Sequence, residues 1–171
     1  MSTQVETLNE IEVLRNQARS TDRVLKLNLD GVTHEDSLVQ PSPAGNCLNW
    51  VLGHLLCIYN DVLPLIGQEP VKPKEQLKQY ARGSAALDQG SRTAMDFEAL
   101  KASWSEAVKR IDAGLAKLSP AQLDSKVPVS PTNNPNETVR SLMTTLMFHQ
   151  AYHAGQTGIL RRIAGKKGAI A

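Results

Sequence analysis

HQAYHAGQTGILRR, residues 149–162, decides how this chain is read. It places His149 and His153 four residues apart in a segment of helical periodicity. Residues at i and i+4 lie one above the other on a helix face. Extended both ways, the stripe through them runs Val139, Leu142, Leu146, His149, His153, Thr157, Leu160 and Ile163. Steps of three and four mark a face turned toward a core. Two imidazoles therefore stand where apolar side chains belong, and burying them costs free energy unless something satisfies them. A single metal ion can satisfy both.

A second helix is expected over residues 47–66, with Asn46 as cap and Gly67 as stop. Its stripe is Cys47, Val51, His54, Ile58, Asp61 and Leu65, so His54 also points inward. Pro64 bends its last turn. A first helix is expected over residues 5–29, capped by Ser2 or Thr3 and stopped at Gly31, and a third over 97–118, capped by Asp96. The helix carrying the histidine pair begins with Asn134, Pro135 and Glu137 as cap, N1 and N3, and stops at Gly165.

The connectors are long. Thr33 and Asp36 fit the cap of a short turn within residues 31–46, where His34 reads as a surface histidine. Residues 67–95 are too many for a structureless loop, so a short helix is expected over 73–80, followed by a flexible Gly/Ser-rich crossing. That crossing is the natural flap over a site; its bland alternative is a surface crossover between parallel helices. Ser119-Pro120 reads as a cap and N1 proline of another short turn. Four long amphipathic segments without strand signals give an all-α bundle, and the long links allow parallel neighbours.

The 171 residues suit one domain, 1–171, with a sizeable core. Aromatics are 4% of the chain, so that core is aliphatic, which favours packed helices over a β-sandwich. A formal net charge of +2 is too small to suggest nucleic acid as a partner. Arg161, Arg162, Lys166 and Lys167 read as solvated cations complementing a helix C-terminus. No apolar run spans a bilayer, and the polar start MSTQVETLNE has no apolar segment of a signal peptide. Cys47 and Cys57 form no CxxC pair and no disulfide framework. The expected compartment is the cytoplasm.

Three of the four histidines (His54, His149 and His153) thus fall on inward stripes of two helices. A bundle core builds metal sites in this way. Imidazole suits zinc, nickel, copper or iron, and three protein ligands leave a position open for water or substrate. The bland alternative is three hydrogen-bonded core histidines around no ion. A zincin protease is disfavoured, because Gln150 stands where HExxH needs its glutamate base. Cys57 is a further candidate ligand or simply a small core hydrophobe, and Asp61 a candidate to orient an imidazole. Tyr152 points off the histidine face. Gly155 and Gly158 each cost the helix about 1 kcal/mol against alanine, which suggests close helix approach or room beside the site.

NWVLGHLL (residues 49–56) and HQAYHAGQTGILRR resemble the DinB/YfiT-like superfamily. The PSPAGN lead-in (41–46), the long middle crossover and the YHAGQ run (152–156) extend the likeness to nearly the whole chain. The resemblance implies an up-down-down-up four-helix bundle, often a homodimer. It implies a divalent metal, typically zinc or nickel, on three histidines, here His54, His149 and His153. Characterised relatives include transferases and an isomerase that use low-molecular-weight thiols such as bacillithiol and mycothiol. The function so implied is a metal-dependent enzyme that activates a thiol or water, with a small-molecule ligand or thiol at the metal. The alternative is a non-catalytic, stress-associated metal-binding bundle.

Overall fold

Side-chain caps start most of the helices, and they lie close to where turn chemistry puts them. The computed structural model describes residues 9–42, 44–128, 130 and 133–170. Among these the elements are α1 (Glu10–Leu29), α2 (His34–Ser37), α3 (Leu48–Val62), α4 (Phe97–Leu115), α5 (Pro120–Leu123) and α6 (Val139–Ile163). A 3-10 turn, Leu63–Ile66, continues α3, and a 3-10 segment, Lys74–Tyr80, lies in the crossover between α3 and α4. The Thr33–Asp36 and Ser119–Gln122 pairs close capping boxes, and Asp96 caps α4. Gly31, Gly67 and Gly165 all take positive φ at the expected stops.

Three starts differ from expectation. The proposed Ser2 or Thr3 cap lies outside the described residues, and Asn9 caps α1 by accepting from Ile11 and Glu12. Cys47, not Asn46, occupies the N-cap of α3 and gives no side-chain bond. Thr138 caps α6 in a box with Ser141. The Asn134-Pro135 turn comes before it: Asn134 accepts from Asn136 and Glu137, which forms a separate turn. Two cap-like signals four residues apart compete, and the later one also pairs Thr138 with Lys126 in an isolated bridge.

Contacts along the helices fix their directions. Arg140 and Glu10, near the starts of α6 and α1, form an ion pair. Asn28, near the end of α1, donates to the Ala154 carbonyl at 3.2 Å and to Thr157 Oγ1 at 3.0 Å. So α1 and α6 run parallel. Arg15 and Arg19 meet Asp112 at 3.0 and 2.8 Å, and Trp104 donates to Asp22 at 3.0 Å, so α1 and α4 are antiparallel. Asn49 reaches the Met95 carbonyl and Tyr59 lies on Trp104, which makes α3 and α4 parallel. Tyr59 donates to Gln150 while His54, five residues earlier, faces His153, so α3 and α6 are antiparallel. The result is an up-down-down-up four-helix bundle around one apolar core.

The second helix departs most from a simple amphipathic reading. Every residue from Leu48 to Cys57 is buried. The reason is the crossover, which folds back over the outer face of α3. Asn60 accepts from the Val71 and Lys72 amides at 2.7 and 3.1 Å and donates to the Lys72 carbonyl. Asn49 accepts from the Tyr80 hydroxyl at 2.9 Å, and that hydroxyl accepts from the Met95 amide. Asn60 thus anchors the start of the crossover, and Asn49 with Tyr80 anchors both ends of the Gly/Ser-rich crossing expected to be flexible. Gly53 lets Tyr80 lie flat on α3: a Cβ there would stand 2.3–2.5 Å from three ring carbons.

The basic end of α6 is also less free than expected. Arg161 donates to the Asn28 and Asp30 carbonyls and closes the end of α1, and Lys166 pairs with Asp36 at 2.7 Å. Among the described residues no helix is long and apolar enough to cross a membrane.

Candidate metal centre

α3 and α6 bring the three predicted histidines to one point. His149 Nε2 lies 3.2 Å from His54 Nε2 and 3.1 Å from His153 Nε2. One ligand atom from each lies within 4.8 Å of the others. Two imidazole nitrogens on a tetrahedral ion at ordinary bond lengths stand about 3.3 Å apart, so the spacing suits a shared divalent cation. The four-residue spacing on α6 supplies two rings, and the antiparallel approach of α3 supplies the third.

Neighbouring groups set which nitrogens face inward. His54 Nδ1–H donates to the Tyr80 carbonyl at 2.9 Å, and His153 Nδ1–H donates to Gln156 Oε1 at 2.6 Å. A carbonyl oxygen only accepts, so each ring carries its proton on Nδ1 and turns an Nε2 lone pair inward. His149 Nδ1 is buried with no partner. Two inward lone pairs, on His54 and His153, packed this closely around a third Nε2 suit a cation that draws on them. The donor set and its spacing fit a metal ion.

Burial holds all three imidazoles below the usual histidine range. For His149 burial acts first, followed by His153, His54 and Arg82, and the value falls to about 3. For His54 burial outweighs the Tyr80 hydrogen bond, and Arg82 lowers it further. For His153 burial outweighs the bond to Gln156. The rings are therefore neutral near pH 7, the state in which imidazole binds a metal.

Around them, Trp50 stacks on His54 with ring centroids 4.8 Å apart and planes 12° apart. Tyr152 is exposed but sets its ring edge-on to His153 at 5.1 Å. On the other side a cavity of about 630 Å³ is lined by His54 and His149, aliphatic side chains of α3 and α6, and Arg82 of the crossover. His54 and His149 thus form part of its wall.

Other expectations fare differently. Cys57 lines the cavity but does not join the cluster, and burial pushes its thiol up, so it is a small neutral wall residue. Asp61 orients no imidazole; it is exposed and pairs with Lys74 at 3.6 Å. His34 is half-buried, not a surface residue, and stands outside the cluster. Gly158 does allow close approach, since a Cβ would meet Asn28 at 3.3 Å, whereas a Cβ on Gly155 would meet nothing. The Tyr80 carbonyl went unread because a backbone acceptor leaves no mark in sequence. Gln156 was legible in principle, three residues beyond His153 on the same helix.

A family model described as the DinB superfamily matches residues 17–157. No curated protein matches in sequence. A solved structure, a conserved protein of locus from Enterococcus faecalis, superposes with a TM-score of 0.69 at 15% identity, over 91% of this chain and 97% of that one. At that identity the likeness speaks to the fold. The family match covers the bundle and all three histidines, and the chain belongs to the DinB superfamily.

Proposed function

We propose that this chain is a divalent-metal-dependent enzyme whose ion, zinc or nickel, is held by His54, His149 and His153 and activates a thiol or water, as in thiol S-transfer. One observation carries the reading: three imidazole Nε2 atoms converge, and two of their rings, His54 and His149, form part of the wall of a ligand-sized cavity. Bound there, the ion would supply a Lewis acid that makes a thiol or water nucleophilic near neutral pH. The chain's own groups do the positioning. The Tyr80 carbonyl and Gln156 hold two rings in the ligating tautomer, as outer hydrogen bonds do in metal sites generally. Trp50 covers one face of His54 and excludes water from it. The cavity admits a small molecule beside His54 and His149. Cys57, with its raised pKa, is not the nucleophile.

The test is turnover by metal-loaded protein with bacillithiol, mycothiol and simpler thiols against a panel of electrophiles. The expected result is product formation that chelation abolishes and metal restores. Metal-loaded protein that turns over none of them would overturn the enzymatic reading. The ligands come from both α3 and α6, which favours a second reading, a stress-associated bundle in which the ion only clamps two helices. A large chelator-dependent loss of thermal stability without turnover supports that one.

We also propose a homodimer. Phe148, Tyr152, Ile159 and Ile163 (the last expected on the inward stripe) stand 72, 58, 60 and 42% exposed along one outer stripe of α6. A contiguous apolar face of this kind suits burial against a second copy. Sedimentation of Ile159→Glu against the parent chain tests it, with a shift to monomer expected. The free cysteines Cys47 and Cys57 suit a reducing, cytoplasmic setting.

A further inference from the structure

We propose that the cavity beside the histidines takes a small aliphatic carboxylate, and that Arg82 holds its acidic group. The inference rests on the reading above, in which this cavity is the substrate site, and names the class of molecule it selects.

The wall has two characters. Ile58, Val62, Leu65, Leu142 and Leu146 present an aliphatic surface, while Asp61, Lys74 and Arg82 bring charge. Asp61 and Lys74 pair with each other. Among the described residues no carboxylate pairs with Arg82, so the cavity keeps one uncompensated positive charge. A molecule that fills it well covers the aliphatic wall and brings an anion to the guanidinium.

Arg82 is held by its backbone. It sits second in a turn closed by the Ser84 amide on the Ala81 carbonyl at 3.0 Å. Gly83 takes φ +79 at the third position, as a type II turn requires. Both feet of the turn are tied to α3. The Tyr80 carbonyl accepts from His54, and Ser84 Oγ accepts from Trp50 Nε1 at 2.9 Å while donating to the Gln79 carbonyl at 2.7 Å. One frame therefore fixes both the arginine's backbone and the ring of His54. A guanidinium presented on a fixed turn is suited to bidentate capture of a carboxylate. A neutral amphiphile gains only from covering the aliphatic wall, and a cation is repelled.

The probes are octanoate, octan-1-ol and octylamine, titrated by calorimetry into the full chain, metal-loaded and metal-free. Octanoate is expected to bind about tenfold or more tightly than octan-1-ol, with octylamine weakest. Arg82→Gln is expected to remove the octanoate advantage in both forms while leaving octan-1-ol unchanged, and Arg82→Lys to keep part of it. Butanoate is expected to bind more weakly than octanoate, since less of the wall is covered. The proposal is overturned if Arg82→Gln keeps the carboxylate preference, if octanoate and octan-1-ol bind alike, or if chain length has no effect. Metal content is measured on the same samples. Protein that takes up no metal defeats the function proposed above, and the arginine is still judged on the metal-free titration.

Discussion

α6 buries polar side chains on two sides, and the two sides are treated in opposite ways. On one side, Gln150 accepts from Tyr59 of α3 and donates to the Ala18 carbonyl of α1, while Thr157 accepts from Asn28 of α1 and donates to the Ala154 carbonyl. Each of these groups is satisfied from within the protein, as buried polar groups generally are. On the other side, the Nε2 atoms of His149, His153 and His54 meet one another, and among the described residues no other hydrogen-bonding group reaches them. The bundle thus satisfies the Nδ1 groups of His54 and His153 as it does its other core polar groups, and leaves the three Nε2 atoms to one another. That difference separates a structural polar contact from a site kept open for a ligand.

The largest expected effect breaks the comparison between sequence neighbours. His149→Leu is expected to abolish stoichiometric metal uptake, with an affinity loss beyond the 10–100-fold that loss of an outer hydrogen-bond partner costs in metal sites (about two orders of magnitude at most). Gln150→Leu is expected to leave uptake unchanged. Elemental analysis of both proteins after zinc or nickel loading decides it, and equal uptake by both would remove the distinction.

Next comes Gly53→Ala. The added methyl would meet the Tyr80 ring at 2.3–2.5 Å and displace it, along with the carbonyl that orients His54. Overpacking of this kind costs about 1–3 kcal/mol, and the lost orientation about 10–100-fold in metal affinity. Denaturant melts of metal-free protein and competitive metal titration separate the two. A stability loss with unchanged affinity would show that Tyr80 supports the fold without tuning the site.

How much of this was legible beforehand follows the same division. The histidine cluster could be read because i, i+4 spacing and core stripes are local patterns, and three rings on two such stripes must come near one another. The caps of α2, α4 and α5 and all three glycine stops were legible because turn chemistry is local too. The closed crossover was not. Asn49 and Asn60 resemble any other helix polar residues until the chain returns to meet them, and a long Gly/Ser-containing link reads as flexible. A helix covered on all sides cannot be told from an amphipathic one when its outer residues happen to include Asn and Tyr. Helix directions likewise depend on contacts such as Arg140–Glu10, far apart in sequence.

Gln150→Leu and His149→Leu also differ in the metal-free protein. The first leaves the Tyr59 hydroxyl and the Ala18 carbonyl without their partner, at a cost of about 1–3 kcal/mol. The second replaces a ring already missing partners by an apolar group, with an expected change of about zero or a slight gain. Urea melts in the presence of chelator measure both. A comparable loss in His149→Leu would mean that the imidazole supports the fold by itself.

The smallest effect is one of slope. Burial lowers the proton affinity of all three histidines in the fold, to about 3 for His149. In the unfolded chain they take up protons at about pH 6.5, as an ordinary histidine does. Between those limits the unfolded state binds more protons, so stability falls as pH falls. The contribution is fully present above the unfolded value and is lost progressively below it. Metal-free protein is therefore expected to melt at lower temperature at pH 5 than at pH 7. His149→Leu should show a shallower decline, because one of the three groups is gone, whereas Gln150→Leu should parallel the parent, since an amide does not titrate. Carboxylates that titrate over the same range contribute alike to all three proteins, so the difference in slope isolates the imidazole. Identical slopes for the parent and His149→Leu would mean that His149 is as free to take up a proton in the bundle as in the unfolded chain, and the case for a ring held neutral would be lost.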